Sequence, residues 1–271
     1  MELGLKGKTA VITGGSKGIG FAIAEELARE GVHLRLSARS KDELTRAADK
    51  LTSRFGVQVG ILPVDLSVRS ARDTFARDVS DTDILVNCAG AIPGGSLDQV
   101  NEDQWRAAWD LKLFGYIGIT RIVYDEMCRR RRGVIINIVG TGGLSTNAGY
   151  ICGGANNSAL INFTISLGGA SVRHGVRVCG INPGPVDTER MTYLRGIEEK
   201  KVPANELPEW RDRYFQRMAY GRAARVDEVS GLAAFLASDR ASYISGAMMT
   251  IDGGMFARAG APGDPIDPPS R

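Results

Sequence analysis

Short apolar runs, rich in β-branched residues, recur along the chain and are separated by longer amphipathic stretches. The runs are apolar throughout instead of alternating with polar residues, which is typical of parallel strands that helices cover on both faces. The repetition of strand and helix predicts a single α/β domain with a doubly wound, seven-stranded parallel sheet. The runs are residues 9–13, 32–37, 58–63, 84–87, 134–138, 177–181 and 248–251.

The amphipathic stretches predict helices on both faces of this sheet. They are residues 19–30, 41–55, 102–130, 155–173 and 226–237. Residues 188–222 are rich in charged and aromatic side chains and contain no strand pattern, so we predict a substrate lid that suits a mostly apolar substrate. The domain is expected to span residues 1–257, and the proline-rich residues 258–271 to form a loose tail with little to bury.

Composition narrows the classes of function. A net charge of +3 in 271 residues gives little attraction to nucleic acid or to anionic lipid. Four widely spaced cysteines without a Cys-x-x-Cys motif favour reduced thiols over disulfides or zinc, so no metal is expected. No leader or membrane span is apparent. We therefore expect a cytoplasmic protein that has neither nucleic acid nor membrane as a partner.

A glycine-rich turn follows the first predicted strand and leads directly into a helix. Residues 13–20 read Thr-Gly-Gly-Ser-Lys-Gly-Ile-Gly. Glycines let the backbone approach a pyrophosphate, and the free N–H groups and dipole of the helix meet its negative charge. This context favours a Rossmann dinucleotide site over a plain strand-to-helix connection. The candidate contacts are Gly14, Ser16, Lys17, Gly18, Ile19 and Gly20.

The end of the second predicted strand bears on the choice of nucleotide. The acid that binds ribose hydroxyls in NAD-preferring sites is missing there, and Arg39 is present instead. A guanidinium can donate two hydrogen bonds to a 2′-phosphate, with Lys17 as a second cation. The alternative is that Arg39 and Lys41 are solvated loop charges. The pattern predicts NADP(H) in preference to NAD(H).

The spacing Thr-Gly-x-x-x-Gly-x-Gly resembles that of the short-chain dehydrogenase/reductase (SDR) family, and further motifs follow in the family's order. Asp65-Leu66 resembles its adenine contact, residues 87–90 its element after the fourth strand, and residues 182–188 its nicotinamide segment. The resemblance implies an oxidoreductase that assembles as a homodimer or homotetramer. It implies these further cofactor contacts: Asp65, Leu66, Asn87, Ala89, Gly90, Pro183, Gly184, Val186 and Thr188.

The catalytic residues depart from the pattern that the resemblance implies, which combines Asn, Ser and a Tyr-x-x-x-Lys pair. Tyr150 fits the tyrosine, but the residue four positions later is Gly154. The place of the serine falls on Gly140, beside Thr141, and the place of the asparagine, which normally faces the catalytic lysine, falls on Lys112. We interpret the chain as a divergent member that lacks the usual catalytic serine and lysine.

A free phenol has a pKa of about 10, so a proton-donating tyrosine needs a nearby cation. We hypothesise that Lys112 supplies this charge from the neighbouring helix, entering space left by Gly153 and Gly154, and that Thr141 binds the substrate oxygen. Tyr150 would then be the proton donor of an NADPH-dependent carbonyl reductase, or of an alcohol dehydrogenase in reverse, acting on a hydrophobic substrate. Elimination or epimerisation on the same fold is a further alternative.

A non-catalytic interpretation stays open beside this one. In it Tyr150 is a packed aromatic, Lys112 extends along a helix interface with its charge in water, and the two glycines serve only tight helix packing. These features together describe an NADP(H)-binding sensor or scaffold protein.

Overall fold

The structure is a computed structural model that describes residues 2–216 and 218–258. The strands of its sheet are β1 (Thr9–Thr13), β2 (His33–Ala38), β3 (Val59–Pro63), β4 (Ile84–Asn87), β5 (Gly133–Ile138), β6 (Val176–Pro183) and β7 (Met248–Ile251). They pair in parallel in the order β3-β2-β1-β4-β5-β6-β7. The predicted fold class is therefore confirmed, and the strand bounds agree with the prediction to within two residues at either end.

Helices connect successive strands of the sheet, and a further short helix follows β7. They are α1 (Gly18–Arg29), α2 (Lys41–Phe55), α3 (Arg69–Asp78), α4 (Glu102–Leu111), α5 (Leu113–Arg130), α6 (Ile151–Ser171), α7 (Glu189–Glu199), α8 (Leu207–Gln216), α9 (Val226–Ala237) and α10 (Met255–Arg258). The prediction did not single out α3. It also treated residues 102–130 as one helix, which is wrong, because the helix breaks at Lys112.

The sheet is buried on both faces, which explains why its strands read as continuous apolar runs. Ile12 packs with the side chains of α1, α2 and α9 on one face, while its neighbour Val11 packs with those of α3 and α5 on the other. Both side chains are inaccessible to solvent. Burying a side chain of this size contributes about 1.5–3 kcal/mol.

The order of the strands reverses between β1 and β4, because the chain runs outward from β1 to β3 and then returns to the other side of β1. Such a switch point opens a crevice at the carboxyl ends of the strands. Thr13 holds the two strand ends together there: its Oγ1 accepts hydrogen bonds from the backbone N–H groups of Cys88 at 2.9 Å and Ala89 at 3.1 Å. The functional site is expected at this edge.

Two helices, α7 and α8, form the segment predicted as a lid. Arg211 on α8 donates two hydrogen bonds to the Glu199 carboxylate of α7, at 3.0 and 3.1 Å. Two apolar side chains of this segment, Tyr193 and Leu194, are 69% and 43% exposed. The division into a domain and a tail stays a prediction, and residues 259–271 lie outside the described part of the chain.

Within the described residues, no helix combines the length and the apolar character that crossing a bilayer requires. The same residues contain no group of three or more histidine, cysteine or acidic side chains placed to hold a metal ion.

Candidate active site

The glycine-rich turn forms a cradle at the amino end of α1. Gly14 and Gly18 have φ values of +70° and +57°, a left-handed conformation that favours glycine. A Cβ atom on Gly20 would lie 2.2 Å from the carbonyl oxygen of Gly14, so only glycine lets the turn close. Lys17, at the N-cap, makes no side-chain hydrogen bond to the first turn of α1. The first N–H groups of the helix therefore remain available to a bound anion.

The end of β4 lies against this turn. A Cβ atom on Gly14 would be 3.1 Å from the Cα atom of Ala89. Asn87, predicted as a cofactor contact, is fully buried, and its Nδ2 donates to Asn137 Oδ1 at 2.9 Å and to Thr120 Oγ1 at 3.1 Å. Its side chain therefore ties β4 to β5 and α5 and faces the interior of the protein. The prediction did not foresee this orientation.

Arg39 and Asp65 come together at the carboxyl ends of β2 and β3. The Asp65 carboxylate accepts hydrogen bonds from the Ser67 backbone at 3.0 Å and hydroxyl at 2.6 Å. These bonds, assisted by the charge of Arg39, lower the pKa of Asp65. Leu66 is buried beside it. Arg39 itself is exposed and forms no ion pair with any residue that the structure describes, so its guanidinium is free for a ligand.

An acid that the sequence analysis missed occupies the same end of the site. Glu43 accepts hydrogen bonds from Lys17 Nζ at 3.1 Å and from Ser16 Oγ at 3.2 Å. The bond from Lys17 is the main reason why the pKa of Glu43 is lowered. Lys17 was predicted as a second cation for the 2′-phosphate, but its charge is paired in this structure. The spacing Ser40-x-x-Glu43 could have predicted this carboxylate, because it is typical of the start of a helix. In the structure Ser40 Oγ caps α2 by accepting a hydrogen bond from the Glu43 N–H.

The segment after β6 forms the opposite wall. Pro183 and Gly184 line the cavity together with Ile19 of the glycine-rich turn. Val186 is buried behind them, and Thr188 caps α7 by accepting a hydrogen bond from the Met191 N–H. The predicted nicotinamide segment and the predicted pyrophosphate turn therefore border the same space.

A cavity of about 290 Å³ lies between these walls. Tyr150, Lys112 and Thr141, predicted from separate parts of the chain, all line it. Thr141 opens a short 3-10 turn, Thr141–Gly143, directly after Gly140. Gly140 has a φ of +127°, so a serine at this position would be strained. The hydroxyl available on this side of the cavity is that of Thr141.

Tyr150 precedes helix α6 instead of lying within it, because α6 begins at Ile151. Its ring is held between two glycines. A Cβ atom on Gly153 would lie 1.9 Å from Tyr150 Cζ, and one on Gly142 would lie 3.0 Å from Tyr150 Cε1. A Cβ atom on Gly154 would lie 3.2 Å from the Gly142 carbonyl oxygen. The space at these glycines thus accommodates the phenol ring and the 3-10 turn, and not the Lys112 ammonium as hypothesised.

Lys112 lies at the break between α4 and α5, and its side chain turns inward. It is only 9% exposed, so the interpretation that its charge lies in water is wrong. Its Nζ donates to the Val139 carbonyl oxygen at 2.7 Å and to Asn157 Oδ1 at 3.0 Å. A Cβ atom on Gly90 would lie 3.1 Å from Lys112 Cδ, so Gly90 makes room for the stem. Burial lowers the pKa of Lys112 to about 8.

The cation that acts on the phenol is one that the sequence analysis missed. Burial raises the pKa of Tyr150, and the positive charge of Arg190 lowers it in part. Arg190 belongs to the first turn of α7, lines the cavity and donates a hydrogen bond to the Ile92 carbonyl oxygen at 2.7 Å. Nothing in the sequence pattern marked Arg190, because its role depends on how α7 crosses the cavity.

A doubly wound parallel sheet with a glycine cradle at its switch point defines the class of dinucleotide-binding α/β proteins. Comparison with known families gives the particular branch: residues 8–198 match the short chain dehydrogenase profile. The chain belongs to the short-chain dehydrogenase/reductase family.

Several similar proteins are named as reductases. The chain is 32% identical over 255 residues to the 3-oxoacyl-[acyl-carrier-protein] reductase FabG of Chlamydia trachomatis, covering 93% of this chain and 98% of that protein. L-sorbose reductase from Gluconobacter frateurii, solved with NADPH and L-sorbose, has a TM-score of 0.87 and 31% identity over 94% of this chain and 98% of its own. A variant of actinorhodin polyketide ketoreductase, solved with NADPH, has a TM-score of 0.86 and 26% identity, covering 92% of this chain and 97% of its own.

Proposed function

We propose that this chain is an NADPH-dependent carbonyl reductase, or an alcohol dehydrogenase in reverse, that acts on a hydrophobic small molecule at an atypical active site. The observation that carries the proposal is the convergence of Tyr150, Lys112 and Thr141 on one cavity with Pro183 and Gly184. Two similar structures hold NADPH, and both proteins are named as reductases.

The residues of the cradle fit a dinucleotide. The uncapped N–H groups of α1 and the left-handed Gly14 and Gly18 would bind the pyrophosphate, and Pro183 and Gly184 would border the nicotinamide. When bound, NADPH supplies the hydride that reduces the substrate carbon. The protein's own residues position the substrate and provide the proton.

Tyr150 acts as the proton donor. Because burial raises its pKa, the phenol is protonated at neutral pH, which is the state that donation to a carbonyl oxygen requires. As the proton leaves, the guanidinium of Arg190 stabilises the negative charge that develops on the phenol oxygen, while Lys112 lines the same cavity. The Thr141 hydroxyl donates a hydrogen bond to the substrate oxygen and holds it for transfer.

Arg39 supports a preference for NADP(H) over NAD(H), since its unpaired guanidinium suits a 2′-phosphate. The Lys17–Glu43 pair contributes no free positive charge.

We also propose that copies of the chain associate as a homodimer or homotetramer through α5 and α6, which expose Phe114 and Ile165 by 48% and 46%.

The proposal is tested by following NADPH absorbance with a panel of hydrophobic ketones. Tyr150→Phe should lower kcat/KM by about 10²–10⁴-fold and leave NADPH affinity, measured by fluorescence, unchanged, because only the proton-donating hydroxyl is removed. Tyr243→Phe is the matched control, since Tyr243 is fully exposed and should turn over like the parent. A parent that binds NADPH but reduces no ketone, or a fully active Tyr150→Phe, would contradict the proposal.

A further inference from the structure

Lys112 is joined to α6 by a hydrogen bond that the sequence pattern does not reveal. The bond runs from Nζ to Asn157 Oδ1, and Asn157 is only 3% exposed. An ammonium has three N–H donors, and Val139 and Asn157 accept two of them. Since Lys112 lines the cavity, the third donor remains for a group inside it. Asn157 thus helps to fix the direction of the ammonium.

The place of Asn157 on α6 also relates it to the phenol. The residue four positions before Asn157 is Gly153, one turn earlier on the same helix face. The ring of Tyr150 lies directly over Gly153. The phenol therefore lies at position 153 of the helix and the partner of the ammonium at position 157, although Tyr150 itself precedes the helix.

These contacts point to an exchange of two side chains. The family pattern places an asparagine where Lys112 stands and a lysine on α6, four residues after the tyrosine. Counting from Tyr150 gave Gly154 as the place of the lysine, but the phenol lies over Gly153, so in space that place is Asn157. We infer that Lys112 and Asn157 are this pair in exchanged positions, with the ammonium carried by the α4–α5 break and the amide by α6. Asn157 is then a positioning residue for Lys112: it also lines the cavity, but the hydrogen bonds of its amide go to Lys112 Nζ and to the Gly140 carbonyl oxygen, the latter at 3.5 Å.

The surroundings explain how the exchanged arrangement is accommodated. Gly90 leaves room for the longer stem of Lys112, and the phenol reaches over Gly153 from the N-cap of α6. The other ionisable groups that act on Lys112 are the half-buried Cys88 thiol and Arg190. One ammonium and one amide remain in the buried site, so its net charge does not depend on which helix carries the ammonium.

A set of four proteins tests the exchange: the parent, Lys112→Asn, Asn157→Lys and the double variant. Lys112→Asn should lower kcat/KM by about 10²–10³-fold, because the cavity loses its ammonium. Asn157→Lys should lower the thermal midpoint by several degrees, since two ammonium groups then share a buried site. The double variant should regain the parent's thermal midpoint and a kcat/KM within about tenfold of the parent's, because the pair is restored in reverse.

Asn157→Leu separates positioning from simple packing. Losing the acceptor makes the protonated state of Lys112 less favourable, so the alkaline limb of the kcat profile should shift to lower pH by about one unit, while NADPH affinity is kept. An unchanged profile would show that Asn157 only packs against its neighbours.

The inference rests on the proposed function for its activity measurements, but its failure is distinguishable. A double variant whose losses in thermal midpoint equal the sum of the two single losses would overturn the exchange, whatever the activity. If the parent binds NADPH without reducing any ketone, the proposed function fails, and the four thermal midpoints still decide whether the two side chains are coupled.

Discussion

Two regions of the site differ in the atoms that form them: backbone atoms in one and side chains in the other. The nucleotide edge, residues 13–20 with residues 87–90, consists of backbone N–H groups and close approaches that only glycine allows. The catalytic corner, defined by Lys112, Thr141, Tyr150, Asn157 and Arg190, consists of side chains from four segments, since Tyr150 caps the helix that carries Asn157. A backbone site depends on one local pattern, whereas a side-chain site requires only that suitable atoms reach the same cavity. The second kind can be rearranged without a change of fold.

Gly153 lies in the catalytic corner, but like the glycines of the nucleotide edge it allows a close approach, here that of the Tyr150 ring. Its substitution should give the largest effect in the corner. Gly153→Ala places a Cβ atom 1.9 Å from Tyr150 Cζ, so the phenol must leave its position. We expect kcat/KM to fall by about 10²–10⁴-fold, comparable to loss of the proton donor itself. NADPH affinity, measured by fluorescence, should be kept, because the nucleotide edge is untouched.

Gly231→Ala, within helix α9, is the matched control, since a Cβ atom there meets no other atom within 4 Å. It should keep full activity and gain about 0.5–1 kcal/mol of stability from the better helix propensity of alanine. Equal activity of the two alanine variants would show that the phenol position is unimportant for turnover.

The buried Lys112 should give the next largest effect, visible in stability. Burial lowers its pKa from 10.5 to about 8. Between these values the unfolded chain binds a proton that the folded chain does not, so the free energy of unfolding rises with pH through this window. Lys112→Met removes this titration. The parent should therefore gain roughly 3 kcal/mol relative to the variant between about pH 8 and pH 10.5.

Denaturant unfolding of both proteins across this range measures the difference. Cys88, whose pKa burial raises to about 12, titrates in both proteins, so its contribution largely cancels. A difference that stays constant with pH would mean that the folded protein leaves the Lys112 ammonium solvated.

The sequence predicted the nucleotide edge more completely than the catalytic corner, for a physical reason. Continuous apolar runs predicted a sheet covered on both faces, and the glycine spacing predicted a turn whose geometry depends only on neighbouring residues. The break at Lys112, the partner Asn157 and the cation Arg190 depend on contacts between segments far apart in the chain. Asn87 shows the same limit within the nucleotide edge: its place in the motif was clear, but the inward direction of its side chain was not.

Substitution of Arg39 should give the smallest effect. It tests how much a side chain contributes to the affinity of the nucleotide edge. Arg39→Ala should raise the Kd for NADPH by about tenfold and leave that for NADH nearly unchanged, because an exposed guanidinium contributes about 1.4 kcal/mol to a phosphate contact. Lys41→Ala, a neighbouring exposed cation, is the matched control. Glu43→Gln sharpens the test, since it releases Lys17 from its ion pair and should tighten NADPH binding. Fluorescence titration with both nucleotides measures all three, and an equal loss for NADPH and NADH in Arg39→Ala would mean that the phosphate is recognised elsewhere.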